Sequence, residues 1–310
     1  MSSIRLMRVS DRDDIMELID AVNQQDFLQY SLTDEWFEYV LKEAGEHLFV
    51  AEKEIAFEME NLQVIHQLKV VGFATCMIDW VSNEACQMNV IVHPQHRRQG
   101  IGSALFQKLL EHSQEYQLQK AEALVKQRLQ ASTRFAERRN FLPVIYSWTM
   151  EIVLDKNKHS TIQYPEKLNT DYQLRQAQAD DLHIYMYMME ECFQHQVDSK
   201  HFQQMFTDPS VALYFFTEQS TGTVVGMITI QYRRNLAMVY LYDIAILPVF
   251  QQQGFGSRMI IAALEVAKQS RMEKAGLVVD GVNKNALSLY GKLGFKEVDE
   301  DILMEKSLSE

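Results

Sequence analysis

Residues 246–259 read ILPVFQQQGFGSRM, and residues 92–105 read VHPQHRRQGIGSAL. Both run from an apolar segment through a proline and a polar stretch into Gly-x-Gly-Ser, then into a helical pattern. The offset is 254 − 100 = 154 positions in a chain of 310 residues. A feature doubled at half the chain length predicts two related domains, each large enough for its own core. A glycine turn that opens a helix after a strand is an anion seat. The glycines admit a close ligand, and the first-turn N–H groups and the helix dipole favour negative charge. The dinucleotide fingerprint G-x-G-x-x-G is not met, because Met259 stands where its third glycine would be. No Gly-Lys-Ser/Thr of a P-loop follows either.

The repeat extends outward from the glycines. Arg8 and Arg175 each stand five residues before an Asp-Asp pair, and each introduces a strand, a capped turn and an amphipathic helix. Matched hairpins follow, at 47–51 with 70–78 and at 212–217 with 224–232. The connection 52–69 is 18 residues long against six for 218–223, and its alternating apolar residues predict a lengthened hairpin. After each glycine turn comes a helix, SALFQKLLEHSQEY or SRMIIAALEVAKQS, and then a strand at 120–126 or 274–280. Strand, helix and strand make a βαβ crossover, which implies parallel strands. Each half closes with a short helix, Asn140-Phe141 or Gly294-Phe295, and a final strand. Polar, aperiodic residues 155–171 read as a linker between domains 1–154 and 172–310. The fold class is α/β with a mixed sheet.

Composition narrows the function. The chain is 47% hydrophobic and 23% charged with a net charge of −12, a globular balance whose sign argues against nucleic acid. That sign suits a cationic small molecule. Cys76, Cys86 and Cys192 lack CxxC spacing and read as apolar core residues of a reducing compartment. No apolar run nears the roughly 20 residues of a membrane span. The stretch MSSIRLMRVSDRDD lacks a signal-peptide pattern, so a cytoplasmic location with no membrane partner is expected. His93-Pro-Gln-His96 has no further ligands in sequence, and no metal is expected.

Two motifs then coincide. Gln251-Gln252-Gln253-Gly254-Phe255-Gly256 and Arg97-Arg98-Gln99-Gly100-Ile101-Gly102 both fit Gln/Arg-x-x-Gly-x-Gly/Ala. Asn283, Ala286, Tyr290, Gly294 and Phe295 fit Asn-x-x-Ala-x-x-x-Tyr-x-x-x-Gly-Phe. In these features both halves resemble the GCN5-related N-acetyltransferase (GNAT) superfamily, most strongly over residues 240–298. The resemblance implies two tandem domains with splayed central sheets and acetyl-CoA as acyl donor. It implies a diphosphate cradle at the two loops, continued by Ser257, with Asn283 beside the ligand. Backbone of Ile244, Ala245, Ile246 and Leu247, or of residues 90–93 in the first copy, would pair with the pantetheine arm.

Acyl transfer to an amine needs two proton movements. An alkylamine with a pKa of about 10.4 must lose a proton before it attacks, and the departing thiolate must gain one. The resemblance implies Asp243, five residues before Pro248, as base and Tyr290 as acid. The matched positions of the first half hold Asn89 and Ala136, with Leu129 and Asn140 in place of Asn283 and Gly294. That half is therefore expected to be catalytically degenerate. The expected enzyme transfers acetyl to a primary amine by direct attack in a ternary complex. The rival is a non-catalytic acyl-CoA-binding or interaction protein on the same fold. Aminoglycosides, polyamines, amino-sugar thiol precursors and protein amines all stay open as acceptors.

Overall fold

The computed structural model describes residues 2–308 except 29, 31, 33, 59–63, 79–83, 155–170 and 195–198. It divides into two compact units, Met1–Ile145 with Ile302–Glu310, and Tyr146–Asp301. From the N-terminus, β1 (Ser3–Leu6), α1 (Arg12–Asp26) and α2 (Asp34–Ala44) precede the antiparallel β2 (Leu48–Glu58), β3 (Val64–Ile78) and β4 (Ala85–Val92). Then α3 (Ile101–Glu115) crosses to β5 (Lys120–Lys126), parallel to β4, and α4 (Gln130–Glu137) and β6 (Leu142–Val153) follow. The second half repeats the order as β7 (Tyr172–Gln176), α5 (Leu182–Phe193), α6 (Ser199–Thr207), β8 (Val211–Glu218), β9 (Val224–Arg233) and β10 (Met238–Ile246). It continues with α7 (Phe255–Gln269), β11 (Lys274–Asp280), α8 (Lys284–Lys292) and β12 (Lys296–Ser307).

Both crossovers are parallel, as the strand-helix-strand pattern requires. Within 52–69 the strands are lengthened as expected, paired out to Glu58↔Val64, and residues 59–63 lie outside the described residues. In each unit helices cover both faces of the sheet. In the first unit, Leu105, Phe106 and Leu109 of α3 pack one face, and Ile15, Leu18 and Ile19 of α1 the other. In the second, Met259, Ile260 and Leu264 of α7 stand opposite Tyr185, Met188 and Met189 of α5. The i, i+4 spacing that marks an amphipathic helix supplies each of these faces. No described helix is long and apolar enough to cross a membrane.

The units trade their last strands across the order of the chain. Residues 146–153 of β6 lie in the second unit, antiparallel to β11 from Lys274↔Val153 to Asp280↔Ser147, with Met150 and Leu154 in its core. Residues 302–307 of β12 lie beside β5 in the first unit, where Ile302 and Met304 are buried. There Leu308 N–H donates to Gln119 O at 2.7 Å, and Lys120 Nζ lies 3.0 Å from Glu305 Oε1. The boundaries read at 154 and 172 follow chain order, because an alternating apolar pattern says that a strand is buried without naming its sheet. Of the expected linker, only Asp171 is among the described residues.

One expected match is shifted. Arg175 pairs with Asp181 at 2.7 and 3.0 Å, and its counterpart at the same spacing of six is Arg5, paired with Asp11 at 2.7 Å through both nitrogens. Arg8 contributes its backbone N–H to Asp11 instead, as Gln178 does to Asp181, each at 2.7 Å.

Candidate active site

The two glycine turns share one backbone. Arg98 (φ 63°) and Gly100 (φ 85°) are left-handed in the first, as are Gln252 (φ 59°) and Gly254 (φ 81°) in the second. Gly100 and Gly254 cap the N-termini of α3 and α7. A side chain at either would meet nothing within 4 Å, yet the positive φ would strain it. Flanking side chains shape the loops. Arg97 Nε donates to Val92 O at 3.1 Å, and Gln251 Nε2 donates to Ile246 O at 2.9 Å. Gln99 and Gln253 each donate to the carbonyl four residues back, at 3.3 and 3.1 Å. Ile101 and Phe255 are buried and anchor the helix starts, with Gly102, Gly256 and Ser257 in the first turns. The first helical bonds run from Ala104 N–H to Gly100 O and from Arg258 N–H to Gly254 O. The N–H groups ahead of them have no helical acceptor, which is what an anion seat requires.

Beyond the loops each parallel pair splays. β4 and β5 pair only from Ala85↔Lys120 to Gln87↔Glu122, and β10 and β11 only from Met238↔Lys274 to Tyr240↔Gly276. β4 and β10 continue to Val92 and Ile246, so their edges facing the opening are available to an extended ligand.

The second unit adds a bulge. β10 opposes β9 as Tyr242↔Thr229 and next as Ala245↔Met227, so Asp243 and Ile244 together face one residue. Asp243 sits at a left-handed φ of 47°. β4 instead keeps an unbroken register on β3, from Ile78↔Cys86 to Gly72↔Val92. Thr229 Oγ1 donates to Asp243 Oδ2 at 3.1 Å, whereas in the first unit Asn89 Nδ2 donates to Thr75 Oγ1, also at 3.1 Å. The buried Tyr185 phenol of α5 is pushed up by burial and by the charge of Asp243. Partial burial and the same charge push Tyr242 up to about 12. Ala245 and Leu247 pack on the α5 side, Ile244 and Ile246 on the α7 side.

Tyr290 lies on α8 in the α7-side core, its ring 5.9 Å from that of Phe295, and burial pushes its phenol up to about 12. Asp243 and Tyr290 thus border opposite layers of the second unit. Asn283 Oδ1 accepts Ala286 N–H at 3.0 Å and caps α8, whereas Leu129 gives α4 no side-chain cap.

Sequence reasoning missed an opening in the first unit. A cavity of about 790 Å³ lies in the β4–β5 splay, bordered among others by Asn89, Arg97, Arg98, Gly100, Gly102 and Ala136. Ala136 leaves space where the second unit has a tyrosine ring. Asp26 at the end of α1 spans the wide end of this opening. Its carboxylate takes Arg97 Nη1 and Nη2 at 3.0 and 2.6 Å, and its carbonyl takes Arg128 Nη1 at 2.6 Å. Arg128 Nη2 also donates to Phe27 O at 3.0 Å. Arg97 follows β4 and Arg128 follows β5, so the end of α1 forms a crossbar between the two arms. Gln251 and Val282, 154 positions on, offer no guanidinium. Three single residues far apart in the chain carry no spacing signal that could have announced this.

Residues 12–141 and 174–295 match the model of the Acetyltransferase (GNAT) family. A mycothiol acetyltransferase of Saccharomonospora viridis is 26% identical over 231 residues, spanning 69% of this chain and 72% of that protein. The fold superposes on a GCN5-related N-acetyltransferase from Sphaerobacter thermophilus with a TM-score of 0.76 at 17% identity, over 99% of this chain and 96% of the other. A tandem GNAT protein from the clavulanic acid biosynthesis pathway gives 0.75 at 14% identity, over 100% and 99%. A Saccharomyces cerevisiae N-myristoyltransferase with bound myristoyl-CoA gives 0.63 at 12% identity, over 98% and 78%.

Proposed function

Because the chain belongs to the acetyltransferase (GNAT) family and is an acyltransferase, we propose that it moves an acetyl group from acetyl-CoA to a primary amine, with the chemistry in its second unit. The observation that carries this reading is the bulge at Asp243. It lifts a carboxylate out of the strand ladder beside an open strand edge, in one unit of two. When bound, acetyl-CoA supplies an acetyl group activated as a thioester.

The chain's own groups suit that ligand. The loop amides of residues 252–257 would hold its diphosphate at the start of α7, and the strand edge at 244–247 would pair with its amide-bearing arm. Asn283 keeps its Nδ2 for a ligand, since the cap uses Oδ1. Asp243, on the α5 side, takes a proton from the acceptor's ammonium before attack; the freed amine then forms the N–C bond, and the proton it sheds on becoming an amide ends on the departing sulfur. Tyr290, on the α7 side, serves the departing sulfur as the C–S bond breaks. With its phenol near 12, Tyr290 stays a neutral donor at physiological pH. A simple thiol titrates at about 8.5, so a complete early transfer from Tyr290 would be uphill. Its first contribution is then a hydrogen bond to the sulfur.

The first unit keeps Arg97, Arg98, Gln99, Gly100, Ile101, Gly102 and the cavity, with Asn89 and Ala136 at the proton-transfer positions. We read it as an acyl-CoA seat without turnover. The net charge of −12 favours a cationic acceptor. The test is CoA thiol release from acetyl-CoA across polyamines, aminoglycosides, peptide N-termini and amino-sugar thiols of the mycothiol type. Release with one class is expected, falling at least about 10²-fold in Asp243→Asn. Silence with every amine would overturn the transfer reading, and an undiminished Asp243→Asn rate would remove the base.

A further inference from the structure

We propose that Thr229 is the positioning residue of the proton acceptor: its buried hydroxyl, fixed on β9, turns Asp243 within the bulge of β10 and donates to its carboxylate. This rests on the reading of Asp243 as the base. Thr229 is 0 % exposed and stands directly opposite Tyr242 in the register, so its hydroxyl is set by the strand ladder. Asp243 is held at a positive φ, a conformation with few alternatives for its side chain to follow.

The first unit shows what the arrangement does. Its Thr75 has the same place and the same 3.1 Å contact, yet there the threonine oxygen accepts from the amide of Asn89. A carboxylate is acceptor-only, so across from Asp243 the hydroxyl must donate. The direction of this one bond therefore follows the partner. Donation to a charged acceptor is also the stronger bond, which favours the form able to take a proton. Among the described residues, the phenols of Tyr185 on α5 and Tyr242 on β10 also face Asp243, and neither is a cation. Asp243→Asn would recreate the Thr75–Asn89 pair, which the first unit already accommodates in a folded sheet.

The experiment needs no acceptor. Aspartate carboxyl carbons are labelled with 13C, Asp243 is assigned by its loss in Asp243→Asn, and the wild type, Thr229→Val and Thr229→Ser are titrated by NMR. Valine keeps the shape and removes the donor, so its Asp243 midpoint should rise by about one pH unit, while serine should coincide with the wild type. With any amine accepted in the panel, the acid limb of thiol release should move by the same amount in Thr229→Val, and the KM for acetyl-CoA should stay fixed. An unmoved midpoint in Thr229→Val overturns the proposal. So does a Thr229→Ser midpoint displaced as far as that of valine. Full activity in Asp243→Asn would sink the base reading instead, a result separate from either.

Discussion

Tyr290 and Ala136 occupy one place in two copies, and the difference is a phenol that can donate against a methyl that cannot. Tyr290→Phe keeps the ring against Phe295 and removes only the donor. We expect kcat for thiol release to fall about 10²-fold, with the melting temperature and the KM for acetyl-CoA little changed. A variant working at the wild-type rate would take the acid role from Tyr290. Substitutions of this kind were legible in the sequence because the offset of 154 holds from Thr75 and Thr229 to Phe141 and Phe295. The arginine that grips each helix cap was not. Arg8 and Arg5 both precede Asp11, and only the turn geometry decides that Arg5 reaches it. The Asp26 crossbar was hidden for the same reason, since a guanidinium's partner is a matter of space and not of spacing.

Among the elements, the entry turns of α1 and α5 are built on matching ion pairs. Burial alone would raise Asp11, but the Arg5 guanidinium and the Arg8 N–H hold its carboxyl below the usual range. Arg175, with the Gln178 N–H, does the same for Asp181. In the unfolded chain both return to about 3.9. The stability they contribute is thus complete above that value and disappears as pH falls through the lower folded values. The loss in melting temperature caused by Asp181→Asn should be larger at pH 6 than at pH 3, read by calorimetry; an equal loss at both would deny the pair its charge. Hairpins and crossovers were legible from period-two and i, i+4 patterns. The bulge was not, because YLYDIAIL reads as one uninterrupted strand and nothing in its alternation marks two residues facing one.

For the whole molecule, the proposed reading of the two matching loops as two ligand seats with unequal duties has a direct test. Calorimetric titration with CoA should give a stoichiometry near two in the wild type. Gly100→Val should bring it to one with turnover kept, and Gly254→Val should bring it to one with turnover lost, since each valine would force a positive φ on a branched residue. Loss of turnover in Gly100→Val alone would reverse the division of labour. Two tandem copies could be read from the sequence, but the traded strands could not, as β6 and β12 carry the apolar alternation of any closing strand. That trade sets a timetable for biosynthesis. Domains generally fold in the order in which they leave the ribosome. Here the unit that begins first, through Ile145, must wait for Ile302, a span of 302 − 145 = 157 residues. At 5–20 residues per second that delay is about 8–30 s. Throughout it β5 presents a bare edge, open to any passing strand. The half of the chain translated first is the last to be finished.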